Sequence, residues 1–193
     1  MYSKIGKIFN ISKDNIIELN SDKFKKKIIQ SVDIICKSLQ SGNKVIFAGN
    51  GGSAADANHL SAEMLGKFLK IRKSLNAISL SGNSSSITAI ANDFGYENIF
   101  SRQLEGVGKR GDVVVALSTS MRSKNIIKML NLSLKLKCRN IVFASEKSNK
   151  YFSKKVDIFF DFPANRTDRI QEIHMLVGHI ICELVENKMS SLR

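Results

Sequence analysis

Between Ser21 and Leu39, apolar residues fall at Phe24, Ile28, Val32, Ile35 and Leu39. Steps of three and four put them on one helical face, and Gly42 follows as a stop. Met1 to Leu19 predicts a shorter helix plus a connection. The pattern then changes. Lys44-Val45-Ile46-Phe47-Ala48 is a short apolar run, which is how a strand buried on both faces reads. It ends in Gly49-Asn50-Gly51-Gly52-Ser53, and helical spacing follows to about Leu69.

The unit repeats. Asn76 to Leu80 predicts a strand, followed by Ser81-Gly82-Asn83-Ser84 and helical segments over about 84–107. Asp112 to Leu117 is the clearest strand; it runs into Ser118-Thr119-Ser120-Met121-Arg122-Ser123 and a helix to about Lys137. Asn140 to Ala144 and Val156 to Phe162 predict two more strands, and a long helix closes the chain from about Asn165 to Met189. Strands alternating with helices imply an α/β fold with a parallel sheet covered on both faces. Five of them fit an open doubly wound sheet, in which ligands bind outside the carboxyl ends of the strands. The polar segments after the first three strands therefore share one edge. No linker or low-complexity tract interrupts the chain, so residues 1–193 are expected to form one domain, with 1–42 a helical segment packing on it.

Composition changes this picture little. The chain has 193 residues, 43% hydrophobic and 24% charged, enough for a sizeable core. No apolar run approaches the roughly 20 residues of a membrane span. The start, Met1-Tyr2-Ser3-Lys4-Ile5, lacks a signal-peptide pattern, so a cytoplasmic location is expected. Cys36, Cys138 and Cys182 are scattered in apolar runs, which reads as buried, reduced thiols. The net charge of +13 comes from lysines spread along the chain, with modest clusters at Lys25-Lys26-Lys27 and Lys154-Lys155. That distribution argues for a solvated surface over a nucleic-acid site, and an anionic substrate would still benefit from the field.

Two constellations carry candidate chemistry. Ser118, Thr119, Ser120 and Ser123 place four hydroxyls between a strand and a helix start. The first turn of a helix has unpaired N–H groups and a positive dipole end, which favour an anion. Ordinary N-capping would explain one hydroxyl, not four. The glycines of Gly49-Asn50-Gly51-Gly52-Ser53 let backbone approach a ligand at a second helix start. The other constellation is helical. His59 and Glu63 are four apart, and Gln171 and His179 are eight apart, so each pair shares a helix face; Asp168 precedes Gln171 by one turn. Such a set would suit a borderline metal such as zinc, or supply a general base (Glu63) and a general acid (His179). On spacing alone, solvated side chains on two unrelated helices remain the simpler account.

The run from Gly49 to Glu63, Ala89-Ile90-Ala91-Asn92-Asp93-Phe94-Gly95, Phe100-Ser101-Arg102-Gln103, Ser118-Thr119-Ser120 and Arg169-Ile170-Gln171-Glu172-Ile173-His174 together resemble the signature of bacterial phosphoheptose isomerases, members of the sugar isomerase (SIS) domain family. The motifs are in order and cover nearly the whole chain. The resemblance implies a flavodoxin-like fold and conversion of D-sedoheptulose 7-phosphate to D-glycero-D-manno-heptose 7-phosphate. That is the first step towards nucleotide-activated heptose for lipopolysaccharide or capsule. It also implies a homotetramer with sites at subunit interfaces and one zinc per site, on His59, Glu63, Gln171 and His179. Glu63 and His179 would be catalytic; substrate contacts would come from Asn50, Gly51, Gly52, Ser53, Glu63, Asn92, Asp93, Ser118, Thr119, Ser120, Ser123, Asp168 and Gln171.

The chain departs from the family at several points. Met121-Arg122 stands where Gly-Asn usually follows Ser-Thr-Ser, and Lys124 replaces a usual Pro. Asn83 replaces a frequent Asp, and Lys67 replaces a usual Arg, keeping the charge but losing the planar fork. Two other readings compete. A non-catalytic SIS-domain protein could bind the replication initiator, or a sugar phosphate as a regulator; neither has a use for Glu63 and His179.

Overall fold

A computed structural model describes residues 1–191. Helices α1 (Tyr2–Leu19) and α2 (Asp22–Gln40) lead into β1 (Val45–Gly49) and α3 (Gly52–Leu65). Then follow β2 (Ala77–Ser79), α4 (Ser84–Phe94), a single 3₁₀ turn at Tyr96–Asn98, and α5 (Ile99–Val107). The chain continues through β3 (Val113–Leu117), α6 (Lys124–Lys135), β4 (Arg139–Ser145), β5 (Ile158–Phe162) and α7 (Thr167–Ser190). The five strands form one parallel sheet in the order β2-β1-β3-β4-β5.

Alternation along the strands builds two cores. Val45, Phe47, Val113, Val115, Ile141, Phe143, Ile158 and Phe160 face α2, α3 and α7. Ile46, Ala48, Val114, Ala116, Val142, Ala144 and Phe159 face α5 and α6. Both faces are covered, which is why the strands read as unbroken apolar runs. Helix α2 is fastened to β5 by Lys23 and Lys27, whose ammonium groups lie 2.7 and 2.6 Å from the Asp161 carboxylate. All three cysteines are buried free thiols, as expected. Burial pushes Cys36 up to about 11 and Cys182 to about 12, so neither is a nucleophile at neutral pH.

Two boundaries differ from expectation, and one region agrees. Helix α1 is continuous to Leu19, because nothing in 2–19 breaks it. The helical segments expected over about 84–107 are α4 and α5, divided where Gly95 takes a φ of 85°. Helix α3 ends at Leu65, four residues short of the expected Leu69.

Helices α3 and α7 pack closely and run in the same direction. A Cβ on Gly178 would lie 2.7 Å from a Leu60 methyl, and one on Gly52 would lie 2.7 Å from the Gln171 carboxamide carbon. These two glycines are what allow the approach. The order β2-β1-β3 means the chain leaves β1 and β3 in opposite directions across the sheet, so their carboxyl ends flank the topological switch point.

Candidate active site

The strand-end edge is built first. After β3, Ser118 and Ser120 accept hydrogen bonds through Oγ from the backbone N–H of Met121 and Arg122, at 3.2 and 3.4 Å. Each hydroxyl uses its oxygen to shape the loop and keeps its O–H free to donate. Ser120 is exposed and Thr119 and Ser123 are half-buried, open to a ligand; Ser118 is buried. Met121 has a φ of 52° while its side chain is buried at 1% exposure. Glycine enters that left-handed region at no steric cost, whereas Met121 holds it against strain.

The loop after β1 is tied to this one. Asn50 Nδ2 donates to Asn125 Oδ1 and Asn125 Nδ2 donates to Asn50 Oδ1, each at 2.9 Å. Tyr96 Oη also donates to Asn50 Oδ1, at 3.1 Å, and the backbone N–H of Ile126 donates to Asn125 Oδ1. The Asn50 amide is therefore occupied in holding the two loops together. What Asn50 has left to offer a ligand is backbone and its second amide N–H. Asn83 caps α4 by accepting from the Ser86 N–H at 3.0 Å, a task Asp or Asn performs equally.

The helical constellation forms a second region. His59 Nε2 lies 3.1 Å from Glu63 Oε1 and 3.0 Å from His179 Nε2. Ligand atoms of the three residues all fall within 4.8 Å of one another. Two imidazole nitrogens at 3.0 Å need either a shared proton or a cation between them, and a carboxylate beside them favours the cation. The donor set of two imidazoles and one carboxylate suits zinc, so these residues fit the metal the resemblance implies. His59 is exposed and Glu63 and His179 half-buried, so the cluster is open on one side. Phe68 stacks on the His179 ring, with centroids 5.7 Å apart.

Gln171 is not with them. It sits against Gly52 at the strand-end edge, eight residues and roughly 12 Å along α7 from His179. By the same rise, His59 and Glu63 lie roughly 10 and 16 Å along α3 from Gly52. One chain thus groups His59, Glu63 and His179 in one place and holds Gln171 against Gly52 in another. The expected common edge holds for the loops and not for the cluster, because both helices carry their reactive residues two to three turns below the edge.

The remaining candidates sit in the open. Asn92 and Asp93 are exposed near the end of α4, where the Asn92 amide donates to Asp93 at 2.8 Å. Asp168 is exposed in the first turn of α7; desolvation, the largest single influence, raises its pKa, but Arg166 and Arg169 together outweigh it and hold the carboxyl below the usual range. Four residues that the sequence reading passed over prove to be part of the frame: Asn125, Phe68, Arg72 and Glu186. Only Asn125 left a trace in sequence, as an amide at a buried helical position. Asp56, on α3 between Gly52 and His59, is buried, with one carboxylate oxygen unpartnered among the described residues. Burial lifts it to about 6, against the pull of His59.

A doubly wound sheet with a hydroxyl-rich loop at its switch point defines the class of α/β proteins whose ligand sites lie at that edge. The sequence profile of the SIS domain family matches residues 11–145. The chain is 45% identical to the phosphoheptose isomerase of Thermodesulfovibrio yellowstonii over 160 residues, covering 83% of this chain and 79% of that protein. It is 40% identical to the phosphoheptose isomerase of Aquifex aeolicus over 96% of both chains, α7 included. The solved structure of phosphoheptose isomerase from Neisseria gonorrhoeae superposes with a TM-score of 0.89 at 31% identity, over 96% of this chain and 98% of that one. The chain belongs to the SIS domain family and, within it, to the phosphoheptose isomerases.

Proposed function

We propose that this protein isomerises D-sedoheptulose 7-phosphate to D-glycero-D-manno-heptose 7-phosphate. The observation that carries the reading is the His59–Glu63–His179 cluster, in a chain of this family. The reaction moves a proton from C1 to C2 through an ene-diol. Glu63 takes the C1 proton, returns it at C2, and so serves as base and then acid. His179 passes a proton between the C1 hydroxyl and the C2 oxygen, which becomes the new hydroxyl. The hydroxyls of Ser118, Thr119, Ser120 and Ser123 hold the phosphate, with backbone of Asn50 to Ser53. Asn92, Asp93 and Asp168 meet the sugar hydroxyls. Zinc held by His59, Glu63, His179 and Gln171 would supply a Lewis acid beside the carbonyl.

The Gln171 separation gives the assembly a task. We read the working unit as a homotetramer in which a second copy brings its Gln171 and hydroxyl loop to the open side of the cluster. An apolar groove of about 570 Å³ between α1, α2 and α7 supports association; Ile16, Ile17, Ile29, Ile180 and Leu184 line it and are exposed. Among the described residues no helix is long and apolar enough to cross a membrane. A cytoplasmic enzyme supplying heptose for lipopolysaccharide or capsule accords with this reading.

The test is turnover on a panel of ketose phosphates, with a mixing experiment. Glu63→Gln and Gln171→Ala proteins are each expected to be inactive. Unfolding and refolding them together should regain activity, because a mixed assembly restores Glu63 from one copy and Gln171 from another. Absence of turnover on the seven-carbon substrate would refute the assignment. Absence of regain would refute the two-copy site.

A further inference from the structure

The loop that follows α3 is held from below by a carboxylate. Glu186, exposed by only 1%, accepts the backbone N–H groups of Phe68, Leu69 and Lys70 at 3.3, 2.9 and 3.0 Å. It also accepts from Arg72 Nε at 2.9 Å, and the Arg72 side chain is itself buried at 4%. The same guanidinium donates to the carbonyl oxygens of Glu63 and Met64, each at 2.9 Å, in the last turn of α3. Glu186 lies seven residues after His179, two turns along the same face of α7. The ring of Phe68, whose N–H this carboxylate holds, stacks on His179.

A buried ion pair stabilises a fold no better than well-packed apolar residues of the same size. What this pair adds is geometry. It fixes the backbone of Glu63 through Arg72, and fixes a flat wall behind His179 through Phe68. We propose that Arg72 and Glu186 are positioning residues for the His59–Glu63–His179 cluster, acting on Glu63 through its carbonyl and on His179 through the Phe68 ring. The proposal rests on the isomerase reading for its kinetic readout and on the cluster alone for its metal readout.

The test pairs kinetics with zinc affinity of the metal-free protein, measured by competition with a coloured chelator. Outer-sphere partners of metal ligands are typically worth about 10- to 100-fold in affinity or activity. Phe68 is half-buried in a loop, so Phe68→Ala is expected to fold with a near-normal Tm. It should lose about 10-fold in zinc affinity and in kcat, with KM within about 2-fold. Phe68→Tyr keeps the stacking face and should recover most of both losses. Glu186→Gln keeps the shape and loses the charge, and should show the same losses with a lowered Tm; if it does not fold, the Phe68 pair decides alone. A Phe68→Ala protein with wild-type zinc affinity and kcat overturns the proposal, as does a wild type that neither binds zinc nor turns over. Loss of zinc affinity in Phe68→Ala, with no wild-type turnover of sedoheptulose 7-phosphate, would sink the isomerase reading and leave the positioning role standing.

Discussion

The strand-end edge and the His59–Glu63–His179 cluster are put together in opposite ways. At the edge, loops from β1 and β3 bond to one another through Asn50 and Asn125, and the hydroxyl groups of Ser118 and Ser120 shape their own loop. That region is braced within one chain. The cluster has three ligand atoms close together and an open side, and its fourth candidate, Gln171, stays at the edge. The difference separates two jobs. Holding a phosphate needs only fixed donors, which one chain can preorganise. In the reading proposed above, the proton transfers use Glu63 and His179, which one pair of packed helices supplies, and the open side is where a second copy would add Gln171.

Four changes test that contrast, from the largest effect down. Glu63→Gln should cut kcat by about 10²- to 10⁴-fold. It should leave the affinity for inorganic phosphate, read by calorimetry, near wild type; a parallel loss of phosphate affinity would mean the two regions are one. Thr119→Val removes a donor at the edge and should raise KM about 10-fold, the worth of roughly one hydrogen bond to a charged group, with a smaller change in kcat. A selective kcat loss there would place Thr119 with the chemistry instead.

The third is a pH effect. His174 is fully buried between Phe143 and Phe162, and neither ring nitrogen has a partner among the described residues. Burial holds its pKa down at about 3, against an ordinary 6.5. The unfolded chain therefore binds a proton that the folded one refuses. Its contribution to stability is fully present above pH 6.5 and is lost as the pH falls towards 3. Denaturant titrations of His174→Leu should show a flatter acid limb over that window; an unchanged slope would refute the buried neutral imidazole. The smallest effect is expected for Met121→Gly. It relieves a left-handed backbone worth about 1–2 kcal/mol and gives up a buried side chain worth about 1.5–3 kcal/mol. The stability change should be near 1 kcal/mol, destabilising, with KM for phosphate nearly unaltered if the backbone path is the same.

Much of the architecture was legible from local pattern. Strands β1, β3 and β5 announce themselves because both faces are covered and, Asp161 of β5 apart, no position carries a polar side chain. The hydroxyl loop was legible because Ser118 to Ser123 follow such a strand. The pair His59 and Glu63 was legible from a four-residue step. What spans long sequence distances was not. The end of α3 is set by Gly66 and by Glu186, which captures backbone N–H groups more than a hundred residues upstream. His179 meets His59 across 120 residues; spacing put His179 on a face with Gln171, and the resemblance put it with His59. The placement of Gln171 escaped for a different reason. Spacing says which face of a helix a residue occupies, and it says nothing about how far down the neighbouring helix its counterpart lies.

The reciprocal amides of Asn50 and Asn125 have one further consequence. Each carboxamide oxygen has both lone pairs taken before any ligand arrives, by the partner amide and by Tyr96 Oη or the Ile126 N–H, while each NH2 keeps one N–H free. The gap between the β1 and β3 loops is thereby braced in advance. Two segments 75 residues apart in sequence are joined into one body, so a change at either amide would loosen both loops.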